Sequence, residues 1–218
     1  MIANIYQQLI LKGISNSHIL KYRVESFVDL SQQMSEELHL NTEEIVIQQF
    51  LKDVKKIVTP LLNEDVIFCI IKDNLLPKSI CIDGERLMQI VLRIIQNAIK
   101  YTTKGNIVLE VCLRAKDDLE FSVSDDGIGM NAKTIQLIKK SINSFVADAP
   151  RQENSQLNGL GLAVAQLLLE KMGTSLHISS EMGKGSRFSF IITMSNSSFS
   201  KKILEVLFVI FQKFASLK

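Results

Sequence analysis

A chain of 218 residues has room for one full domain of about 150 residues and an appendage. Its 46% hydrophobic and 22% charged residues are those of a globular protein, and a net charge of +2 excludes a nucleic-acid role built on a broad basic face. Cys69, Cys81 and Cys112 are odd in number and widely spaced, which excludes a disulfide framework or a zinc site; they are expected to be reduced, buried small hydrophobes.

At the N-terminus no basic segment leads into an apolar run and a small-residue cleavage site, so no signal peptide is expected. Ile2, Ile5, Tyr6, Leu9 and Ile10 form one apolar helical stripe. Gly13 and the Ser15-Asn16-Ser17 cluster are expected to end it. A second stripe runs Leu20, Val24, Phe27, Val28, Met34, Leu38. Each piece is too short to stand alone, so residues 1–43 are expected to be a partial helical hairpin that pairs with a second copy.

From about residue 44 the pattern becomes mixed α/β. A helix is expected over 48–63 with Pro60 near its end, then a strand over 66–71. The turn Asp73-Asn74-Leu75-Leu76-Pro77 leads to a short strand over 79–82, and Asp83 stands ready to cap a long helix over 84–101. Strands 106–114 and 119–124 are joined by Lys116-Asp117-Asp118 as a hairpin. A short helix over 131–139 precedes a polar, aperiodic stretch over 141–157. Helix 160–172 ends at Gly173, and strands 174–180 and 186–193 close the unit. The tail 195–218 carries the run Ile203 to Phe211, interrupted by Glu205 and flanked by lysines, which suits an amphipathic or buried helix better than a membrane anchor. No uncharged run reaches the roughly 18 residues that span a bilayer.

The chemistry lies in helix 84–101 and the glycine pairs after it. Leu87, Ile90, Val91, Ile94, Ile95, Ala98 and Ile99 mark a core face, while Arg86, Arg93, Asn97 and Lys100 fall in one narrow sector. Alone, that sector reads as a solvated face. Asn97 nevertheless offers a neutral carbonyl to Mg²⁺ beside phosphate, and Lys100 offers a point charge. Asp125 ends a strand before Gly127 and Gly129. Its carboxylate can accept from an exocyclic amine such as that of adenine, a bond worth about 1.5–3 kcal/mol when buried; alone, it is equally an Asp-rich turn. Gly159 and Gly161 open a helix whose free N–H groups can face phosphate. Gly183-Lys184-Gly185-Ser186 adds a third place where the backbone can come close to a ligand.

Taken in order, Asn97-Ala98-Ile99-Lys100-Tyr101-Thr102, Asp125-Asp126-Gly127-Ile128-Gly129, Gly159-Leu160-Gly161-Leu162 and Gly183-Lys184-Gly185-Ser186 resemble the N, G1, G2 and G3 boxes of the ATP-binding domain of sensor histidine kinases. Leu76-Pro77, Asp83, Arg86-Leu87 and Gln89 match the approach to the N box, and Phe145 matches the F box. The resemblance covers about residues 44–194. It implies a Bergerat-type fold, a two-layer α/β sandwich of helices on a mixed β-sheet, with residues 1–40 as part of the family's dimerisation hairpin. ATP and Mg²⁺ are the implied cofactors. By motif position Asp125 would hold the adenine amine with support from Ser186, Asn97 would coordinate Mg²⁺, and Lys100 would touch phosphate. Tyr101, Gly127 and Gly129 would admit the nucleotide, and Gly159, Leu160, Gly161 and Leu162 would lie against its phosphates beneath a lid over 141–157. Implied partners are a second copy of the chain, a histidine-bearing kinase domain and a response-regulator receiver, with no nucleic acid. The implied location is cytoplasmic, or the cytoplasmic side of a membrane within a larger sensor.

Three departures stand out. None of His18, His39 and His177 has the context of the family's phosphoacceptor, whose position would precede Met1. Arg93 stands where the N box usually has Asn, one turn before Asn97. A guanidinium about 4 Å from Mg²⁺ would be repelled by roughly 8 kcal/mol at an effective dielectric of about 20, so it must swing away or meet phosphate. Leu157-Asn158 replaces the Gly-Ser/Thr that opens the G2 box. Two functions follow from different classes: a kinase core that phosphorylates a histidine elsewhere, or a degenerate nucleotide-binding, dimerising module that regulates other kinases. A gyrase-like hydrolytic ATPase ranks below both, because its general-base Glu would be Arg93 here.

Overall fold

A computed structural model describes residues 6–7, 9–21, 40–115, 117–148 and 160–194. Helix α1 takes in residues 9–21. Strand β1 (Glu43–Val46) runs into α2 (Ile47–Val58) and a 3-10 turn (Thr59–Leu61). Then come β2 (Val66–Lys72), β3 (Ser79–Ile82), α3 (Gly84–Tyr101), β4 (Gly105–Ala115) and β5 (Asp118–Asp125). Helices α4 (Ala132–Asp148) and α5 (Leu160–Lys171) precede β6 (His177–Glu181) and β7 (Gly185–Thr193).

Five strands form one mixed sheet in the order β2-β4-β5-β7-β6. Only the β2–β4 pair is parallel; the other three are antiparallel. β1 and β3 make a separate antiparallel ribbon. Helices α2, α3 and α5 cover one face of the sheet, where Phe121 of β5 stacks on Phe190 at 5.4 Å and meets Phe50 of α2 edge-on at 6.3 Å. The expected two-layer α/β sandwich is the observed fold. On the other face Arg187 lies 3.2 Å from Glu110 and 3.8 Å from Glu120, which also pairs with Arg114. The free cysteines are half-buried, not buried, because they lie in β2, β3 and β4 away from the helix-covered centre.

Helix α3 has the expected limits because both of its ends are written in local chemistry. Asp83 accepts from the Arg86 N–H at 3.0 Å through one carboxylate oxygen and from the Asn41 N–H at 2.9 Å through the other. The cap therefore ties the helix to the chain entering β1. Asp83→Ala is expected to lower unfolding stability by about 1–2 kcal/mol, read as a lower urea midpoint. Beyond the expected face, Met88, Gln89 and Leu92 are buried too, with both α2 and α5 packed on α3.

Three helices depart from expectation, and the strand expected over 174–180 begins only at His177. Helix α1 runs without interruption through Gly13 and Ser15-Asn16-Ser17. Such residues cost a helix interior at most about 1 kcal/mol each, which tertiary contact overrides: Ser15 is buried, Ile19 packs on the core, and Lys21 lies 3.6 Å from Glu85. The stripe from Val24 to Leu38 lies outside the described residues. Helix α2 stops at Val58, five residues early, where Pro60 enters a 3-10 turn and can offer no N–H. Helix α4 continues to Asp148 through the first half of the stretch read as aperiodic. Asn131 caps it by accepting from the Thr134 N–H at 2.8 Å, and Ile135, Ile138 and Ile142 form a stripe against the core. No described helix is long and apolar enough to cross a membrane.

Candidate nucleotide site

β5 ends at Asp125, whose side chain is 7% exposed. One carboxylate oxygen accepts from the Gly127 N–H at 2.9 Å, and the Ser186 N–H of the neighbouring β7 also faces the carboxylate. Burial pushes the Asp125 carboxyl above its ordinary range, while those two backbone donors pull it partly back. Such a group is an acceptor held ready at a strand end. Next to it, Asp126 faces away and bonds the Asn106 N–H and side-chain amide at 2.8 and 2.9 Å, fixing the turn to β4.

The glycines around Asp125 are demanded first by the chain itself. A Cβ on Gly127 would lie 2.6 Å from both Asp125 Oδ1 and Tyr101 O. On Gly129 (φ 64°) it would lie 1.9 Å from Glu181 O, and on Gly185 (φ 92°) 1.7 Å from Asp125 O. Three loops therefore interlock: the Ile128 N–H donates to Tyr101 O at 3.3 Å, and the Gly183 N–H donates to Ile128 O at 2.8 Å. Ser180 fastens the same knot. Its hydroxyl accepts from the Met130 N–H, donates to Gly185 O, both at 2.8 Å, and lies 3.1 Å from Ser186 Oγ. Ser180 escaped the sequence reading because a serine in an outer strand carries no spacing signal.

The other candidates lie on α3 and α5. Asn97 is half-buried and Lys100 exposed, with the Lys100 ammonium 5.0 Å above the Tyr101 ring. Tyr101 joins the helix to the glycine turns through its carbonyl. One residue on, Thr102 Oγ1 is buried with no partner among the protein groups. Arg93, one turn before Asn97, reaches α5: a Cβ on Gly161 would lie 3.9 Å from Arg93 Cδ. Leu160 and Gly161 open α5, Leu162 packs on the core, and Gly159 lies outside the described residues. The structure thus gathers Tyr101, Asp125, Gly127, Gly129 and Ser186 in one knot and places Arg93 at the start of α5.

The Mg²⁺ implied by the resemblance would find one neutral oxygen donor in this region, the Asn97 side-chain carbonyl. A hard divalent cation wants oxygen ligands, and here the neutral Asn97 amide stands one turn from the permanent charge of Arg93. Among the described residues no group of three or more His, Cys, Asp or Glu could hold a metal.

Fold and knot together define a two-layer α/β protein with a buried carboxylate set among glycine turns at the strand ends. Residues 82–196 match the family described as histidine kinase-, DNA gyrase B-, and HSP90-like ATPase, and the chain belongs to that family. It is 28% identical to the aerobic respiration control sensor protein ArcB of Escherichia coli (strain K12) over 188 residues, 85% of this chain and 24% of ArcB. It is 30% identical to the sensor histidine kinase RcsC of the same strain over 191 residues, 86% of this chain and 20% of RcsC. The chain thus spans a quarter or less of the length of these relatives. Its fold superposes on full-length ShkA, solved in complex with AMPPNP, with a TM-score of 0.63 at 23% identity, covering 82% of this chain and 36% of that one.

Proposed function

We propose that this chain is the ATP-binding core of a histidine kinase in two-component phosphorelay signalling, delivering the γ-phosphoryl group to a histidine that lies outside residues 1–218. The observation that carries the reading is the buried Asp125 carboxylate, oriented by the Gly127 N–H within a knot of glycine turns. In this reading the adenine amine donates to Asp125, and Ser186 supports that carboxylate from β7. Lys100 and the first-turn N–H groups of α5 meet the phosphates. The bond from the γ-phosphorus to the bridging oxygen breaks, a bond from phosphorus to the acceptor imidazole nitrogen forms, and ADP leaves. The domain supplies position and charge neutralisation.

The exposed Tyr6, Leu9, Ile10, Ile14 and Leu20 support a second copy as partner for the N-terminal unit 1–43. Residues 44–194 would be the catalytic unit, and a receiver would take the phosphoryl group onward. A non-transferring, dimerising nucleotide-binding module is the second reading, favoured by Arg93 in the N box. Radiolabelled ATP, the whole chain and a separate histidine-bearing hairpin domain separate the two. Label on the hairpin that is lost in acid and kept in base is the expected result; ATP binding without label selects the second reading.

A further inference from the structure

Ser180 of β6, Ser186 of β7 and Asp125 of β5 lie in one row across three strands, since Ser180 pairs with Ser186 and Ser186 with Asp125. Directly opposed residues of antiparallel strands point to the same face of the sheet. Here that is the helix-covered face, because Ile178, two residues before Ser180, is buried in the core. The protons in this row can be counted. A serine hydroxyl has one proton to give and two lone pairs to accept with. Ser180 Oγ lies 2.8 Å from Gly185 O, which can only accept, so the Ser180 proton goes there. One lone pair of Ser180 takes the Met130 N–H at 2.8 Å. The 3.1 Å contact between the two serine hydroxyls therefore has Ser186 as donor. With its proton held by Ser180, the Ser186 hydroxyl has only lone pairs left to present. The ionised Asp125 carboxylate beside it likewise only accepts.

We propose that Ser180 is a positioning residue that makes this site select a 6-amino over a 6-oxo purine nucleotide, by holding the Ser186 hydroxyl as an acceptor beside Asp125. The inference rests on the reading of this site as an ATP site. An exocyclic amine has two N–H groups for two neighbouring acceptors. A 6-oxo purine carries an oxygen in that place and a proton on the ring nitrogen next to it. Its ring N–H can still meet Asp125, but its oxygen then faces the Ser186 lone pairs. Without Ser180, the Ser186 hydroxyl is released to turn its proton to that oxygen.

Titration calorimetry of the whole chain with ATP, and with ITP in competition against ATP, tests it in the natural chain, Ser180→Ala, Ser186→Ala and the double variant. ITP is ATP with a 6-oxo group in place of the amine. Each protein is judged by the ratio of its own two dissociation constants, so a general loosening of the loops does not mimic the effect. The natural chain is expected to prefer ATP by about thirtyfold or more, and Ser180→Ala to lower that preference about tenfold. Ser186→Ala, which removes the hydroxyl itself, is expected to lower it about threefold or more. Adding Ser180→Ala to Ser186→Ala is expected to leave the ratio where it was, because the effect passes through the Ser186 hydroxyl. A Ser180→Ala ratio equal to that of the natural chain overturns the inference while leaving the ATP site standing. So does a Ser186→Ala ratio equal to that of the natural chain, a result that decides the matter even if Ser180→Ala does not fold. A ratio that shifts again in the double variant would mean that Ser180 acts other than through Ser186, and overturns it as well. No ATP binding by the natural chain would remove the ATP site itself, and the inference with it.

Discussion

Gly185→Ala is expected to remove more than about 4 kcal/mol of unfolding stability, a large share of the total of about 5–15 kcal/mol, read as a strongly lowered urea midpoint. The added Cβ would lie 1.7 Å from Asp125 O and 2.8 Å from Asp125 C, all backbone, at a φ of 92° that an L side chain rarely adopts. Relief would require β7 to move off β5 where Asp125 pairs with Ser186. That movement would expose the buried carboxylate and open the sheet centre beneath Phe188 and Phe190. Gly183→Ala is the control. Its φ is also positive, at 77°, but nothing lies within 4 Å of an added Cβ, so it should cost only about 1–2 kcal/mol. Urea unfolding followed by circular dichroism distinguishes them. If both variants unfold at the same midpoint, the close approach of β5 and β7 is not what the third glycine turn serves.

These glycines also mark the boundary between what the sequence reveals and what only the fold does. Helix α3 was legible because its cap, Asp83, and its apolar period are local signals, and the ordered glycine boxes were legible because each keeps its own spacing. The interlock among those boxes was not. Gly129 against Glu181, and Gly185 against Asp125, are contacts between segments far apart in sequence, which no local pattern encodes. Ser180 is hidden for the same reason. Strand β1 passed unseen because four residues with Glu43 and Glu44 exposed make no alternation; only pairing with β3 gives them a ladder. The reach of α4 was available in principle, since Ile135, Ile138 and Ile142 keep helical spacing, but polar residues between them masked it. Helix α1 errs the other way: Gly13 and the serines are real breakers whose cost is outweighed by packing of Ile19 and Ser15.

Asp125→Asn is expected to weaken ATP binding about ten- to hundredfold in calorimetric titration, the equivalent of a charge-assisted hydrogen bond of about 1.5–3 kcal/mol. Asn keeps an oxygen for the Gly127 N–H but loses the charge and one acceptor, so the remaining amide N–H₂ opposes either Ser186 or the ligand amine. The pH dependence follows from the same burial. The Asp125 carboxyl titrates above its ordinary value of 3.8, so ATP affinity of the natural chain should begin to fall, on acidification, before that of a site with an exposed carboxylate. Asp125→Asn supplies the baseline, because the ligand's own titration is common to both. Stability runs in the opposite sense. With its folded value above its unfolded one, the native state holds this proton more tightly. The resulting stabilisation is complete below 3.8 and is lost as pH rises through the folded value. Ionised Asp125 therefore costs the empty fold some stability and strengthens the ligand complex. A natural chain whose ATP affinity stays parallel to that of Asp125→Asn across this window would mean that the ligand does not use the carboxylate charge, and the base would have to be held by the backbone of the glycine turns instead.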